Sequence, residues 1–462
     1  MREFDVAVIG NGVIGTLAAI RVKQHNPEKS VVLVGNIGRM DSASVAAGAM
    51  IAVYAEMEAC APAQQQTQEK YLKIGKDSSI SWRKFLTETG GLDTITAEDT
   101  VVFLKKGHSE FEFANFQTVK AALRQDKISA IAVDVLELEN KSNIYDAIRI
   151  PGEFAICSVT LFKHFETLLR LLNIDIIPDN ADAIDLVKSE VVFKEPNLNF
   201  GFCKIVVAAG AQSAALFPQQ VILPMLQGVG TAVKIDGNMD TKWLSKNVIR
   251  SVNRGGAQCG VHVVPQNNDV IYLGAGNYVS PPGTAPHRLD TIRYLLSTLE
   301  NDLLSRKIMY NFTGNLVLGM RPKSIDGLPM IGNLASWPNV FVATGTNRLG
   351  LTWAPRIADQ IVAWLSEKSK IDSEFMGWEP DRTPKTYGSE DEAINYFVSS
   401  RISNACEHGL SGTSAKELTK LDSEFRFVAS GLITQLSKKF AKYDGIIFHP
   451  DNWTALLSMD IS

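Results

Sequence analysis

One arginine stands in a stretch whose other residues restrict the backbone, and this stretch is the first candidate for chemistry. Residues 319–332 read Gly-Met-Arg-Pro-Lys-Ser-Ile-Asp-Gly-Leu-Pro-Met-Ile-Gly. The guanidinium of Arg321 is always charged and offers a rigid fork of donors that matches a carboxylate or a phosphate. Arg-Pro and Asp-Gly also occur in ordinary surface turns. The stretch therefore indicates either a turn or a binding site for a small anion.

A phosphate-binding loop is indicated near the start of the chain. Phe4–Ile9 is a short apolar run, typical of a strand buried on both faces of a parallel sheet. The pattern G-x-G-x-x-G follows directly with Gly10, Gly12 and Gly15. In such a loop the glycines permit a tight turn, the approach of a pyrophosphate and close helix–strand packing. Since a helical stretch and a second strand at Val31–Val34 follow in order, the segment predicts a dinucleotide site.

The acidic residue that usually binds the ribose hydroxyls is missing from this pattern. It normally stands about 20 positions further on, after the second strand. Gly35 and Asn36 occupy that place, and Asp41 is the nearest acid. Either Asn36 or Asp41 takes over the contact, or water and backbone hold the ribose.

The composition is that of an ordinary globular protein. The chain has 462 residues, enough for two or three domains, and its net charge of −4 gives no reason to expect a nucleic acid partner. Its five cysteines are scattered without a C-x-x-C motif, so we expect reduced thiols, a cytoplasmic location and no metal site. We also expect neither a leader nor a membrane span, since no apolar run reaches about 18 residues.

The order of strand and helix signals predicts an α/β fold with two interleaved domains. Residues 1–84, 151–220 and 313–384 are assigned to a Rossmann-like domain around a parallel sheet. Residues 85–150 and 221–312 are assigned to a mainly antiparallel α+β domain that binds the substrate.

Residues 385–462 are predicted to form a helical C-terminal extension. The segments Ser389–Glu392 and Ser414–Glu417 each fit a capping box that opens a helix. Its aromatic residues are expected to pack in a core (Tyr396, Phe397, Phe425, Phe427, Phe440 and Tyr443). The residues indicate no role for the extension, which is a candidate surface for self-association or for a protein partner.

Four blocks in this order resemble the D-amino-acid oxidase family of FAD-dependent oxidoreductases, especially its glycine oxidase and sarcosine oxidase-like members. They are Gly10–Gly15, Ser42–Glu58, Val206–Ser213, and Gly319–Gly332 with its continuation Val342–Pro355. The resemblance covers roughly residues 4–382 and leaves the extension outside. It implies that the Rossmann-like domain binds FAD.

The resemblance also implies roles for particular residues. Arg321 matches the arginine that pairs with the substrate carboxylate, and Arg348 matches a second arginine near the same site. The residues expected along the FAD are Gly10, Gly12, Val13, Ile14, Gly15, Asn36, Ser42, Ala47, Gly48, Met50, Ala209, Gly210, Gly319, Gly327, Gly345, Asn347, Arg348, Leu349, Gly350 and Leu351, with Met330 and Ile331 beside the flavin ring. Since Gly319 stands where covalently flavinylated relatives have a cysteine, the FAD is expected to be non-covalent.

Departures from the family pattern concern the substrate pocket. His262 stands where a tyrosine often binds the carboxylate, and Gln212 stands where a tryptophan is usual. His262 alternates with apolar neighbours, so it is either a core histidine or a site residue. In the site, a pKa near neutrality would make it a candidate catalytic proton acceptor or substrate ligand. With Asn277 and Tyr278 as further candidates, the pocket is expected to be more polar than glycine alone requires.

The favoured chemistry is oxidation of a C–N bond next to a carboxylate. A hydride would pass from the carbon that bears the amine to flavin N5, and the imine would then hydrolyse. Arg321 would position the substrate, while the cofactor supplies the redox chemistry. The electrons would go to dioxygen or to another acceptor.

Three other functions stay open at this stage. A flavin-dependent dehydrogenase of a hydroxy acid would oxidise a C–O bond on the same scaffold and use a carrier other than oxygen. An NAD(P)-dependent enzyme would share the first loop but would not need Ser42–Met50 or Gly319–Gly332. A non-catalytic flavoprotein would use the extension as an interaction module, which the intact Arg321 disfavours.

Overall fold

The part of the chain that the structure describes forms two eight-stranded sheets and one three-stranded sheet. The computed structural model describes residues 2–39, 42–132, 143–236, 246–253, 260–267, 270–283, 285–303, 313–366, 372–407 and 415–459. Within these ranges the strands are β1 Arg2–Ile9, β2 Val31–Val34, β3 Met50–Ile51, β4 Ile95–Ala97, β5 Asp99–Lys105, β6 Ile131–Ala132, β7 Ile144–Ile150, β8 Phe154–Ile156, β9 Asp175–Ile177, β10 Ala183–Asp185, β11 Glu190–Val192, β12 Phe200–Val207, β13 Met225–Asp236, β14 Asn247–Ser251, β15 His262–Pro265, β16 Ile271–Ser280, β17 Thr313–Ser324, β18 Met330–Asn333 and β19 Val340–Thr344. The α-helices there are α1 Val13–His25, α2 Gln65–Thr89, α3 Glu110–Gln125, α4 Ser158–Leu171, α5 Leu289–Thr298, α6 Gly350–Leu365, α7 Glu390–Glu407, α8 Ala415–Lys439 and α9 Trp453–Ser458.

The first sheet has the parallel core that the sequence predicts. Strands β19, β12, β1, β2 and β9 are neighbours in this order and run parallel, while β18, β11 and β10 pair antiparallel at the margins. Apolar clusters cover both faces of this sheet, which is why β2 is buried along its whole length. Because parallel strands end at one edge, the loops after β1, β2, β12 and β19 meet there.

The second sheet is antiparallel apart from the pair β5 and β14, so the predicted fold class is confirmed. Strand β17 carries Arg321 and pairs with β13 along its whole length, from Ser324 opposite Met225 to Thr313 opposite Asp236. The sequence assigned residues 313–384 to the Rossmann-like domain, but these hydrogen bonds place β17 in the second sheet. The reason is that β13 offers a full row of backbone partners to β17. The division into domains is otherwise still a prediction.

The C-terminal extension is helical, as predicted, and packs onto the ends of β13 and β17. Trp453 is fully buried in a cluster with Leu226 of β13 and Ile325, which follows β17. Asn452 donates hydrogen bonds to the carbonyl oxygens of Ser324 at 3.1 Å and of Ile325 at 2.9 Å. The extension therefore belongs to the core that surrounds the strand of Arg321.

Two details of the extension can be compared with the sequence. The predicted capping box of Ser389 and Glu392 is present, with each side chain bonded to the other residue's backbone N–H. The second box falls on Ser414, which lies outside the described residues. Among the aromatic side chains Phe397 and Phe440 are buried, whereas Phe427 is 82% exposed because only one face of α8 packs against the chain.

Candidate active site

The main cavity, of about 700 Å³, opens where the parallel strands end. Its walls are the loops after β1, β2, β12 and β19, the segment that begins at Ser42, and part of β17. Most of the residues predicted to hold the cofactor line it, namely Gly10, Gly12, Val13, Ile14, Asn36, Ser42, Ala47, Gly48, Met50, Ala209, Gly210, Gly319, Asn347, Arg348, Leu349, Gly350 and Leu351. The fold therefore brings all four sequence blocks to one cavity.

A few predicted cofactor residues lie elsewhere. Gly327 and Gly345 line a second, smaller cavity, where Gly327 faces His449 of the extension. Met330 and Ile331 are fully buried in the apolar core, because β18 pairs with β19 inside the first sheet. These four residues and Gly15, which was also predicted to lie along the FAD, are absent from the described lining of the main cavity.

The phosphate loop has the geometry that its glycines predict. Gly10 has φ +108°, and a Cβ there would lie 2.3 Å from the carbonyl oxygen of Ala208. A Cβ at Gly15 would lie 1.9 Å from the carbonyl oxygen of Gly10, so helix α1 packs as closely as expected. Gly12 precedes α1, whose start has no side-chain cap and no acid in its first turn. The backbone N–H groups of that turn suit a pyrophosphate.

The end of the cavity next to β2 is polar. The backbone N–H of Asn36 donates to Asn180 at 3.3 Å, and the side chain of Asn11 donates to the carbonyl oxygen of Asn36 at 2.8 Å. Asp182, in the loop between β9 and β10, also lines the cavity. It is an acidic residue at this end of the cavity that comes from a distant segment, so spacing alone could not find it. Asp41 lies outside the described residues.

Arg39 and Ser44 are two lining residues that the sequence analysis missed. Arg39 donates from Nε to the carbonyl oxygen of Asn11 at 3.2 Å and pairs through Nη1 with Glu166 at 3.1 Å. The hydroxyl of Ser44 accepts a hydrogen bond from the N–H of Val13 at 3.1 Å. Both side chains therefore place polar groups beside the phosphate loop, where an anion is stabilised. The only signal for Arg39 was a basic residue soon after the second strand.

Arg321 lies on β17 in the wall of the main cavity. Its Nη1 donates to Oδ1 of Asn277 at 3.0 Å, which fixes the guanidinium. A Cβ on Gly230 of β13 would lie 2.5 Å from Nη2, so only glycine leaves room for this arrangement. Among the residues that the structure describes, Arg321 forms no ion pair with a carboxylate. A guanidinium without a counter-ion at a cavity wall suits an anionic ligand.

His262 lies in the same wall, but it is neutral at working pH. Burial, followed by the nearby Arg250, lowers its pKa to about 3, which corrects the expectation of a pKa near neutrality. Its Nδ1 lies 3.1 Å from the carbonyl oxygen of Gly260 and donates to it, so Nε2 is an acceptor. The ring stacks on Tyr272 at 5.8 Å between centroids. His262 is therefore suited to accept a hydrogen bond and is a poor general base.

Arg348 differs from Arg321, because two carboxylates neutralise it. Its Nη2 lies 2.7 Å from Glu58, and its Nε lies 3.2 Å from Glu56. Glu56 also binds Nη1 of Arg250 at 2.5 Å, and Arg250 is only 1% exposed. Although burial alone would raise the pKa of Glu56, the two guanidinium groups lower it to about 2. Arg348 is therefore held by ion pairs in the wall of the site, an arrangement that the sequence alone did not indicate.

A second buried carboxylate supports the turn that carries Glu56. One oxygen of Glu153 accepts hydrogen bonds from the backbone N–H groups of Val53 at 2.8 Å, Ala55 at 3.1 Å and Tyr54. Burial nevertheless raises the pKa of Glu153 to about 7, because it outweighs these three donors. Folding thus favours the protonated form of the Glu153 carboxyl, compared with the unfolded chain.

Glu153 should make the free energy of unfolding depend on pH. Its folded pKa of about 7 lies above the usual 4.5, so its contribution is complete below pH 4.5 and is lost as the pH rises through 7. From pH 5 to pH 8 we expect wild type to lose about 2.5 kcal/mol relative to Glu153→Gln, which cannot ionise. Urea denaturation of both proteins at the two pH values measures this difference. A constant difference would show that Glu153 is ionised throughout.

Comparison with known proteins decides the family. A family model described as FAD dependent oxidoreductase matches residues 5–364, which is most of the chain. The chain belongs to this family. FAD is therefore the cofactor of this oxidoreductase, and the resemblance seen in the four sequence blocks is confirmed. None of the described helices is long and apolar enough to cross a membrane.

Individual relatives agree with this membership. Glycine oxidase of Bacillus subtilis is 22% identical over 369 residues, which are 77% of this chain and 90% of that protein. The crystal structure of glycine oxidase from Geobacillus kaustophilus has a TM-score of 0.69 at 19% identity and covers 83% of this chain and 99% of its own. L-α-Glycerophosphate oxidase from Mycoplasma pneumoniae, solved with FAD bound, has a TM-score of 0.61 at 18% identity, over 83% of this chain and 99% of its own. The two structures show a shared fold.

Replacing Gly10 by alanine is expected to abolish FAD binding. The added Cβ would lie 2.3 Å from the carbonyl oxygen of Ala208. The backbone of Gly10 also has a conformation that residues other than glycine rarely adopt. The visible flavin absorbance per chain of the purified protein measures the loss. Gly431→Ala is the control, since a Cβ there meets nothing within 4 Å. A Gly10→Ala protein with its full complement of FAD would contradict this expectation.

Proposed function

We propose that this oxidoreductase oxidises the C–N bond of a small amino acid, or of a related amine that carries a carboxylate. The proposal rests on Arg321. Its guanidinium is fixed in the cavity wall and has no carboxylate partner in the described chain. A carboxylate can accept two parallel hydrogen bonds from such a fork. The same cavity holds the phosphate loop, so the anion site and the FAD site adjoin.

The residues around Arg321 fit an amine substrate. Arg321 binds the carboxylate, and Asn277 keeps the guanidinium from turning away. The neutral ring of His262 presents Nε2, which can accept a hydrogen bond from the amine nitrogen. Loss of a hydride from the carbon that bears the neutral amine leaves an iminium ion, which water hydrolyses to a carbonyl product and an ammonium ion. FAD would supply the hydride acceptor in this cavity, and dioxygen or another acceptor would take the electrons.

The FAD is proposed to be non-covalent. A Cβ on Gly319 would lie 2.6 Å from the Cβ of Ala46, so a cysteine at this position would not fit without movement of the chain. Acid precipitation tests this point, because non-covalent FAD stays in the supernatant while covalent flavin precipitates with the protein.

A hydroxy acid is the second candidate substrate. The fold likeness to L-α-glycerophosphate oxidase supports it, because that name describes an enzyme that acts on a C–O bond. An alcohol must lose its hydroxyl proton to a base as the hydride leaves, and a histidine with a pKa of about 3 is a poor base. An amine with a free lone pair needs no such base. The site therefore favours the C–N substrate.

A substrate screen separates these proposals. The purified, FAD-loaded enzyme is offered amino acids, N-methyl amino acids and hydroxy acids, and peroxide formation and dye reduction are followed in parallel. We expect turnover with an amine that carries a carboxylate. Turnover with hydroxy acids alone would overturn the C–N proposal, and dye reduction without peroxide would identify a dehydrogenase.

A further inference from the structure

A second cavity, of about 300 Å³, adjoins the main cavity at Arg348, which lines both. Its walls come from α2, from the loop after β19, from the residues around the end of β17 and from the C-terminal extension. The reaction proposed above uses none of the groups that belong to this cavity alone. Its volume is that of a small-molecule site.

Three hydrogen-bond donors in its wall lack a full set of partners. The hydroxyls of Tyr71 and Tyr387 form no hydrogen bond within the described residues, although Tyr387 is only 5% exposed. The ammonium of Lys323 is 3% exposed and has one hydrogen-bond partner there, Asp451 at 3.5 Å. Buried donors normally find partners, and an ammonium has three hydrogens to donate. These groups are therefore suited to a ligand that carries acceptor oxygens.

The charges of the wall indicate a ligand with no net charge. The described ionisable groups of the wall are equal in number, and Arg348 pairs with Glu58 while Lys323 pairs with Asp451. The carboxylates are Glu56, Glu58, Asp326 and Asp451, and the cations are Lys70, Lys323, Arg348 and Lys385. His449 adds no charge, because burial lowers its pKa to about 4. A ligand with a net charge would leave one buried charge uncompensated. A ligand with one carboxylate and one ammonium can pair with a positive and a negative side chain of the wall, and it adds no net charge to the cavity.

An aromatic surface completes the cavity. Trp353 and Trp378 stack at 5.9 Å between centroids, and Tyr71 contacts them edge-on at 4.9 and 5.7 Å. Such a surface suits a short aliphatic side chain.

We infer that the second cavity binds a small amino acid in its zwitterionic form. Its carboxylate accepts from Lys323 and the tyrosine hydroxyls, and its ammonium donates to Glu58 or Asp451. The C-terminal extension builds this site, since Tyr387 and Asp451 belong to it. The inference does not depend on which substrate the main cavity oxidises.

Binding of radiolabelled α-aminoisobutyrate to the FAD-loaded enzyme tests this site. This zwitterion has no hydrogen on its α-carbon and cannot be oxidised there, so equilibrium dialysis gives its Kd. We expect Lys323→Met to weaken binding about tenfold, because a charge-assisted hydrogen bond is lost. Tyr71→Phe keeps the ring and removes only the hydroxyl, and it should weaken binding about fivefold.

The controls separate this site from the main cavity. Lys420→Met changes an exposed lysine of α8 and should leave the Kd unchanged. The binding that Lys323→Met weakens should persist in Arg321→Ala, even if the substrate screen finds no amine oxidation. Isobutyrate and isopropylamine carry one charge each and should bind more weakly than the zwitterion. Unchanged affinity in both Lys323→Met and Tyr71→Phe, equal affinity for isobutyrate, or loss of binding in Arg321→Ala alone would overturn the inference.

Discussion

Arg321→Ala is expected to lower kcat/KM for a carboxylate-bearing amine by a factor of about 10² to 10³. The guanidinium lies in the main cavity, is fixed by Asn277 at 3.0 Å and has no carboxylate partner among the described residues. Its removal deletes the charge-assisted hydrogen bonds to the substrate and the orientation that they impose. Steady-state kinetics with the best substrate of the screen measures the change.

Two comparisons make this result specific. Arg426→Ala removes an arginine from the exposed side of α8 and should leave kcat/KM unchanged. Arg321→Lys keeps the positive charge but loses the planar fork, so it should recover only part of the activity. The flavin absorbance should be the same in all three variants. If Arg321→Ala retained wild-type kcat/KM with FAD bound, Arg321 would not belong to the substrate site.

Glu56→Gln is expected to lower the free energy of unfolding by about 3 to 5 kcal/mol at pH 7. Glu56 lies between the guanidinium groups of Arg250 and Arg348, and Arg250 is almost wholly buried. Glutamine preserves the shape but not the charge, so Arg250 loses the carboxylate that compensates it. Urea denaturation of the wild type and the variant measures the difference.

The pH dependence gives this prediction a second readout. The pKa of Glu56 is about 2 in the folded chain, below its usual 4.5. Its contribution to stability is therefore complete above pH 4.5 and is lost as the pH falls through 2. The variant should differ most from wild type near neutral pH and least at strongly acid pH. Glu424→Gln, on the exposed surface of α8, is the matched control. Equal unfolding midpoints for wild type and Glu56→Gln at pH 7 would refute the role of this ion-pair group.

Local patterns in the sequence were sufficient to predict most of the residues that line the main cavity. The apolar run Phe4–Ile9 and the glycines after it restrict the backbone within a few residues, so strand, turn and helix follow from local physics. The same holds for the loop around Gly210. Because the strands before these two loops, β1 and β12, run parallel in one sheet, naming the strands was enough to predict that the loops meet at its edge.

The charge state of the site could not be predicted in this way. The pKa of His262 depends on its burial and on Arg250, which is near it only in the folded chain. The same is true of the two carboxylates around Arg348, which separate its role from that of Arg321. Electrostatic energies depend on distance and burial in three dimensions, and a sequence pattern records neither.

In the C-terminal extension, too, the sequence predicted the local elements and the tertiary structure decided their contacts. The sequence by itself determined its helices, because capping residues and apolar spacing are local signals. Only the tertiary structure decided that Trp453 packs beside the end of β17 and that Tyr387 and Asp451 complete a second cavity. For the protein as a whole, the sequence determined the strand, loop and helix at the start of the first sheet and singled out Arg321, which lies in the wall of the main cavity. The fold decided which charges are compensated, because that depends on contacts between segments far apart in the chain.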